Sequence, residues 1–296
     1  MARYKPKKRC IIEYDVERNS NGFPLEFITL IGKIRMWGTD TSTYTSVQSL
    51  WRDGFNYAAP DGIMIPEPLG IIPEYRMWLQ RKVPGRPVIE LLAGPDGTSL
   101  AKRIVEAIYK IQQTNVAPHR EQHTIDHELD ILHRGLLEVS RTAPELSGRI
   151  ERIARQCDSL AEKIPQNTPV CSHRDFYFDH VIVDGHRLYL LDFDLYCKAD
   201  PGLDIGNFIA HLTEYALRVL GDPEALAPIE KTMEEVFSEL WNAKAYFSMR
   251  SYVLLTLVRH IFLSTKVKGR SNFTEALLEL CEERLCTDSS KALLYH

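Results

Sequence analysis

The stretch SHRDFYFDHVIVDGHRLYLLDFD, residues 172–194, decides how this chain is read. Within it HVIV (180–183) and HRLYLL (186–191) alternate in the manner of strands, and Asp184-Gly185 joins them. That pair suits a two-residue hairpin turn because both positions tolerate positive φ. Setting Val183 opposite His186 places Leu191 opposite Phe178 and Asp192 opposite Tyr177. Two carboxylates far apart in sequence, Asp175 and Asp192, then share the open end of one hairpin. His180 stands at the strand entrance on that same end, and Asp194 follows two residues after Asp192.

Phosphoryl transfer needs such a pair. One carboxylate meets the incoming hydroxyl, and the other holds a divalent ion that offsets the charge of the phosphates. The segments HRDFYFDH, LLDFD and ADPGLDIGNFIAHL follow one another here in the order and at the distances seen in the family of aminoglycoside, choline and related small-molecule kinases. The chain resembles that family, whose fold is protein-kinase-like. The resemblance implies an α+β, two-lobed protein-kinase-like fold with a β-rich N-lobe and a mainly helical C-lobe. It implies Asp175 as the base that orients the substrate hydroxyl, His173 as a brace of the catalytic loop, and Asp204 as an anchor of that loop. It implies Asp192 as the main magnesium ligand. His180 takes the second metal position, where the family has Asn, and Asp194 either assists the metal or caps the turn. Imidazole suits manganese better than magnesium, so manganese is the alternative ion.

Outward from this segment the resemblance extends over nearly the whole chain. ITLIGKIRMWG (28–38) is similar to the strand carrying the phosphate-contacting lysine, which makes Lys33 the partner of the α and β phosphates of ATP. IPEPLGIIPEYRMWLQRKVPGRPV (65–88) is similar to the last strands of the small lobe and the hinge, where backbone at Gln80, Lys82 and Val83 meets adenine. The helix after Lys33 departs from the pattern. It holds no glutamate, only Asp40 and Asp53 at its ends, leaving Gln48 or Thr45 to hydrogen-bond Lys33.

Periodicity supports the same division. RCIIEYDV and FPLEFITLIGKIRM are strand-like runs separated by ERNSNG, a reversal signal. A helix capped by Thr41 or Ser42 follows and closes at Gly54. PGRPV (84–88) breaks the composition and marks the boundary between a nucleotide-binding lobe, 1–85, and a helical lobe, 86–296. Beyond it SLAKRIVEAIYKIQQ repeats Leu100, Ile104, Ala107, Ile108 and Ile111 at helical spacing.

Composition narrows the class of function. The 296 residues carry a net charge of −4, which points to no nucleic-acid partner, and no apolar run is long enough for a membrane span. Six cysteines without C-x-x-C spacing read as reduced thiols of a cytoplasmic protein. RYKPKKR at the start reads as a solvated tail. His119, His123 and His127 fall four apart, a usable zinc spacing on one helix, but read as a solvated face. The acids Asp222, Glu224, Glu230, Glu234, Glu235 and Glu239 are read as helix exterior rather than a pocket for a cation.

The function expected is ATP-dependent, magnesium-requiring transfer of phosphate to a hydroxyl of a small molecule. The alternative is a nucleotide-binding module without efficient turnover, motivated by His180 and the missing glutamate. A protein kinase is disfavoured because DFD replaces Asp-Phe-Gly and no APE follows. Substrate identity and oligomeric state are open at this level.

Overall fold

The computed structural model describes residues 3–5, 8–18, 26–36 and 38–292. The chain runs through β1 (Arg3–Lys5), β2 (Arg9–Arg18), β3 (Glu26–Arg35), α1 (Thr41–Arg52), β4 (Ile63–Met64), β5 (Pro68–Ile72), β6 (Met77–Arg81), β7 (Arg86–Pro87), α2 (Ile89–Leu92) and α3 (Gly97–Gln113). It continues through α4 (Ile125–Thr142), α5 (Ser147–Ala161), β8 (Val170–Ser172), β9 (Val181–Asp184), β10 (Arg187–Leu190), β11 (Cys197–Ala199), α6 (Leu203–Tyr215), α7 (Ala227–Leu240), α8 (Ala243–Lys266) and α9 (Thr274–Ala292). Two compact units result. One comprises Met1–Glu90, Thr114–Arg120 and Asp179–Tyr196, and the other Leu91–Gln113, Glu121–Phe178 and Cys197–His296.

The first unit is rich in strands. Its larger sheet has the order β1-β2-β3-β6-β5, antiparallel throughout. The β-branched runs of β2 and β3 pair along their whole length, from Arg9 opposite Arg35 to Arg18 opposite Glu26. The reversal expected at ERNSNG falls mostly on residues 19–25, outside those described. The start of the chain corrects the solvated-tail reading, since Arg3–Lys5 pairs with β2 as an edge strand. Asp40, not Thr41 or Ser42, caps α1: its carboxylate accepts from the Thr43 N–H at 3.2 Å. Val47 and Leu50 face inward from α1, and Gly54 (φ 91°) closes it.

The smaller sheet of this unit has the order β4-β10-β9-β7 and contains the expected hairpin. Its pairing is shifted by two residues from the expected one, and its turn by one. Asp184 pairs with Arg187 and Val183 with Leu188, so the turn is Gly185-His186. Gly185 supplies the one positive φ, 57°, at the first central position, which is the hairpin turn in which glycine comes first.

The second unit is helical, with the short ribbon β8–β11 attached. Helix α8 is buried on most of its circumference, from Ala245 to Ser264, as befits the centre of a core. It packs on α4, α6 and α9. The close approach of α6 to α8 requires glycine: a Cβ on Gly206 would lie 2.6 Å from the Tyr252 Cβ and 2.9 Å from the Met249 carbonyl oxygen. Among the described residues no helix is long and apolar enough to cross a membrane, and the cysteines are all free thiols.

Candidate active site

The loop carrying Asp175 belongs to the helical unit. Strand β8 pairs with β11, Ser172 opposite Cys197, and delivers His173, Arg174 and Asp175. Arg174 sits in the left-handed region at φ 70°, a conformation that costs a non-glycine residue about 1 kcal/mol and persists only when the surroundings impose it. Here α6 imposes it. Asp204, fully buried in the first turn of α6, accepts from the backbone N–H of His173 at 2.8 Å and of Arg174 at 2.7 Å. Burial pushes the Asp204 carboxyl up to about 6 despite these donors. The two N–H donors favour the charged form and so oppose that rise.

One turn further along, Asn207 completes the anchor. Its amide donates to the Arg174 carbonyl at 3.0 Å, and its oxygen accepts from Thr256 at 2.6 Å and from Arg259 at 3.3 Å. Arg259 in turn meets Glu128 at 3.2 Å, and Glu128 meets His123 at 2.5 Å. Burial would raise the Glu128 carboxyl, but His123 and Arg259 hold it below its ordinary value. A buried polar chain thus runs from the loop through α6 and α8 to α4. The His173 ring is fully buried, edge-on to Phe176 at 5.4 Å, and Asp175 is half-buried at the tip.

The second carboxylate group belongs to the strand-rich unit. After β10 the Leu191 N–H donates to the His180 carbonyl at 2.9 Å, and Asp192 turns the chain in the left-handed region at φ 64°. Its Oδ1 lies 3.3 Å from Lys33 Nζ, joining residues 159 apart in sequence. Its Oδ2 lies 3.5 Å from Arg9 and 3.7 Å from His180 Nε2. Asp194 is 2.6 Å from Arg35, 3.2 Å from Arg9 and 3.9 Å from Lys33. Arg35 also meets Asp40 at 2.5 Å. Burial alone would raise the Asp192 carboxyl; Lys33, His180 and Arg9 outweigh it and hold Asp192 well below the carboxylate range. Asp194 is raised, by burial first and then by the charge of Asp192.

Lys33 therefore pairs with an acid from the turn after β10. Gln48 donates to the Tyr44 hydroxyl instead, which corrects the expectation that Gln48 or Thr45 takes the lysine. Lys33 also lies 5.0 Å from the Trp78 ring centroid. Gln80 stands in β6 opposite Ile31, and the Lys82 N–H is bonded to the Thr29 carbonyl at 2.9 Å. Of these three residues expected to lie near adenine, Val83 is the one beyond the last ladder bond.

The three histidines divide. His119 bonds Thr43, Ser46 and the Asp194 carbonyl. His123 is buried on Glu128, and His127 caps α4 with Thr124. Because α4 begins only at Ile125, they share no helix face. Of the six acids read as exterior, Glu224, Glu230 and Glu234 line, with Glu283, a cavity of about 490 Å3 in the helical unit, so these three are not plain exterior. Arg284 and Arg250 pair with Glu224 and Glu234 there, each at 2.8 Å, leaving the lining close to balanced in charge.

Asp192, Asp194 and His180 offer oxygen and nitrogen donors to an ion, with Lys33, Arg9 and Arg35 beside them. Among the described residues no three His, Cys, Asp or Glu side chains are grouped so that they alone could hold a metal ion. Magnesium fits such a partial set, because it is ordinarily held by one or two carboxylates with phosphate oxygens and water completing the shell. Asn207, Arg259, Arg9 and Arg35 escaped the sequence reading. The register that sets Arg9 opposite Arg35 was the available signal for the last two.

A lysine-bearing strand joined to a post-hairpin aspartate, and a left-handed loop held by the next helix, define a phosphotransferase architecture. Solved structures bear this out at the level of fold. A choline/ethanolamine kinase family protein from Mesorhizobium loti is 12% identical, with 88% of this chain and 84% of that chain covered and a TM-score of 0.60. A thermostable aminoglycoside phosphotransferase mutant in ternary complex with AMP-PNP and hygromycin B is 16% identical, with 96% and 92% covered and a TM-score of 0.62. A choline kinase from Cryptosporidium parvum Iowa II is 10% identical, with 95% and 91% covered and a TM-score of 0.60. Comparison with the curated proteins finds no match. The model of the phosphotransferase enzyme family matches residues 53–231, and the chain belongs to that family.

Proposed function

We propose that this protein is a small-molecule kinase that transfers the γ-phosphate of ATP to a hydroxyl of an aminoglycoside-, choline- or sugar-like acceptor. The observation that carries the reading is the Lys33–Asp192 pair, 3.3 Å across, in which the cation proposed to bind phosphate and the anion proposed to bind metal neutralise each other. A divalent ion, magnesium or manganese, would supply charge neutralisation for the β and γ phosphates, held by Asp192 with Asp194 and His180. Lys33 would bind the α and β phosphates, and backbone near Gln80, Lys82 and Val83 would hold adenine. Asp175 would accept the hydroxyl proton and aim the oxygen, while His173 braces the loop. Positioning and electrostatics then account for the rate, since phosphoryl transfer asks little covalent chemistry of the protein.

The test is an ADP-release screen over aminoglycosides, amino alcohols, sugars and nucleosides, run with magnesium and with manganese. Turnover dependent on both metal and acceptor supports the reading. Metal-independent nucleotide binding with no turnover on any acceptor would favour the non-catalytic module instead.

A further inference from the structure

Arg9 and Arg35 stand directly opposite each other on β2 and β3. Lys33, two residues before Arg35, shares its sheet face. Like charges directly opposed across strands are destabilising unless something compensates them. Here Asp192, Asp194 and Asp40 do so: Arg9 reaches Asp192 and Asp194 at 3.5 and 3.2 Å, and Arg35 reaches Asp194 and Asp40 at 2.6 and 2.5 Å. Three cations balance three carboxylates. Two of those carboxylates are the metal ligands of the proposed kinase site, and this inference rests on that reading.

A divalent ion arriving at Asp192 and Asp194 meets a guanidinium already in place. The Arg9 contacts come from a single nitrogen, Nη1, and are long for charge-assisted bonds, so they exchange readily. Once the ion takes the carboxylates, the face carries an excess of positive charge that only a polyanion satisfies. The guanidinium fork matches phosphate oxygens, two bonds at a time, where lysine offers a point charge. We propose that Arg9 and Arg35 are phosphate-binding residues held in reserve on the metal carboxylates, so that metal binding releases them to the nucleotide and the two ligands bind as a coupled pair.

Binding, not turnover, reads this out. ADP affinity is measured by calorimetry with magnesium present, and manganese affinity without nucleotide by loss of the free ion's paramagnetic resonance signal. Arg9→Met and Arg35→Met, which keep an apolar stem, should each weaken magnesium-dependent ADP binding about 10- to 100-fold, the span of one lost charged hydrogen bond. Arg9→Met should also bind manganese alone several-fold more tightly than wild type, and it is this gain together with the loss of ADP affinity that a merely structural arginine would not produce. Arg9→Lys should restore part of the ADP affinity, and a thermal melt of Arg9→Met equal to wild type shows that variant is folded. Unchanged ADP affinity in the methionine variants overturns the inference and leaves the kinase reading standing. Weakened ADP binding without tighter manganese binding overturns the exchange. Wild-type protein that binds no ADP with either metal removes the kinase reading and this inference together.

Discussion

Asn207 offers a test of how the loop carrying Asp175 is held. Its side chain is 1% exposed and makes three hydrogen bonds, at 3.0 Å to the Arg174 carbonyl, 2.6 Å to Thr256 and 3.3 Å to Arg259. Asn207→Ala leaves a buried carbonyl and a buried hydroxyl without this partner, each worth about 1–3 kcal/mol. Arg259 retains Glu128, so its loss is small. The sum, reduced for relaxation, is about 3 kcal/mol, a large fraction of a typical domain's stability. Thr256→Val removes only the 2.6 Å bond and should cost about 1 kcal/mol. Because the two share that bond, the double variant should be less destabilised than the sum of the singles, by about 1 kcal/mol. Urea unfolding measures all three, and amide exchange at Arg174 and Asp175 should quicken in Asn207→Ala as the left-handed turn relaxes. A loss below about 1 kcal/mol in Asn207→Ala, or strictly additive costs, would refute the view that this residue couples the loop to α8.

Two further substitutions probe the helical core. Burial raises the Glu230 carboxyl from 4.5 to about 7, against the Thr213 hydrogen bond and the charge of Arg284. The native state therefore holds this proton over a pH range where the unfolded chain has released it. Its contribution to stability is full below about pH 4.5 and is lost as pH rises through about 7. Glu230→Gln, which keeps an acceptor for Thr213, should gain on wild type by about 1–2 kcal/mol at pH 8 with no such gain at pH 4.5, in paired urea melts. Gly206→Ala should cost about 1–3 kcal/mol, since the new Cβ would meet Tyr252 at 2.6 Å in a packed helix contact; a thermal melt equal to wild type would contradict that packing.

Much of this site is legible in the sequence, for reasons that differ by residue. The hairpin follows from two alternating runs around Asp184-Gly185, and the order of HRD, DFD and DPGLD points to the carboxylates proposed for the site. The register was ambiguous because glycine can serve either central position of a two-residue turn. Only the observed pairing of Asp184 with Arg187 decides it. The partner of Lys33 was sought one helix away because the kinase pattern puts an acid there. The acid comes instead from 159 residues downstream, a distance at which local pattern says nothing. Arg9 opens β2 at the end of the basic run of residues 5–9, and local pattern says nothing of its partners Asp192 and Asp194, more than 180 residues downstream. Asn207 needed the helix face: it lies three residues after Asp204, on the side that meets the loop. His123 was misread as solvated because its partner, Glu128, becomes a neighbour only when α4 starts at Ile125.

The central claim is that Asp175 acts on the acceptor while Lys33 and Asp192 serve the nucleotide. Asp175→Ala tests it directly, with ADP affinity and ADP release measured side by side in the presence of magnesium. The account predicts that ADP affinity stays within about threefold of wild type while acceptor-dependent ADP release falls about 100-fold or more, as expected when a general base is removed. Substantial turnover in Asp175→Ala would contradict it.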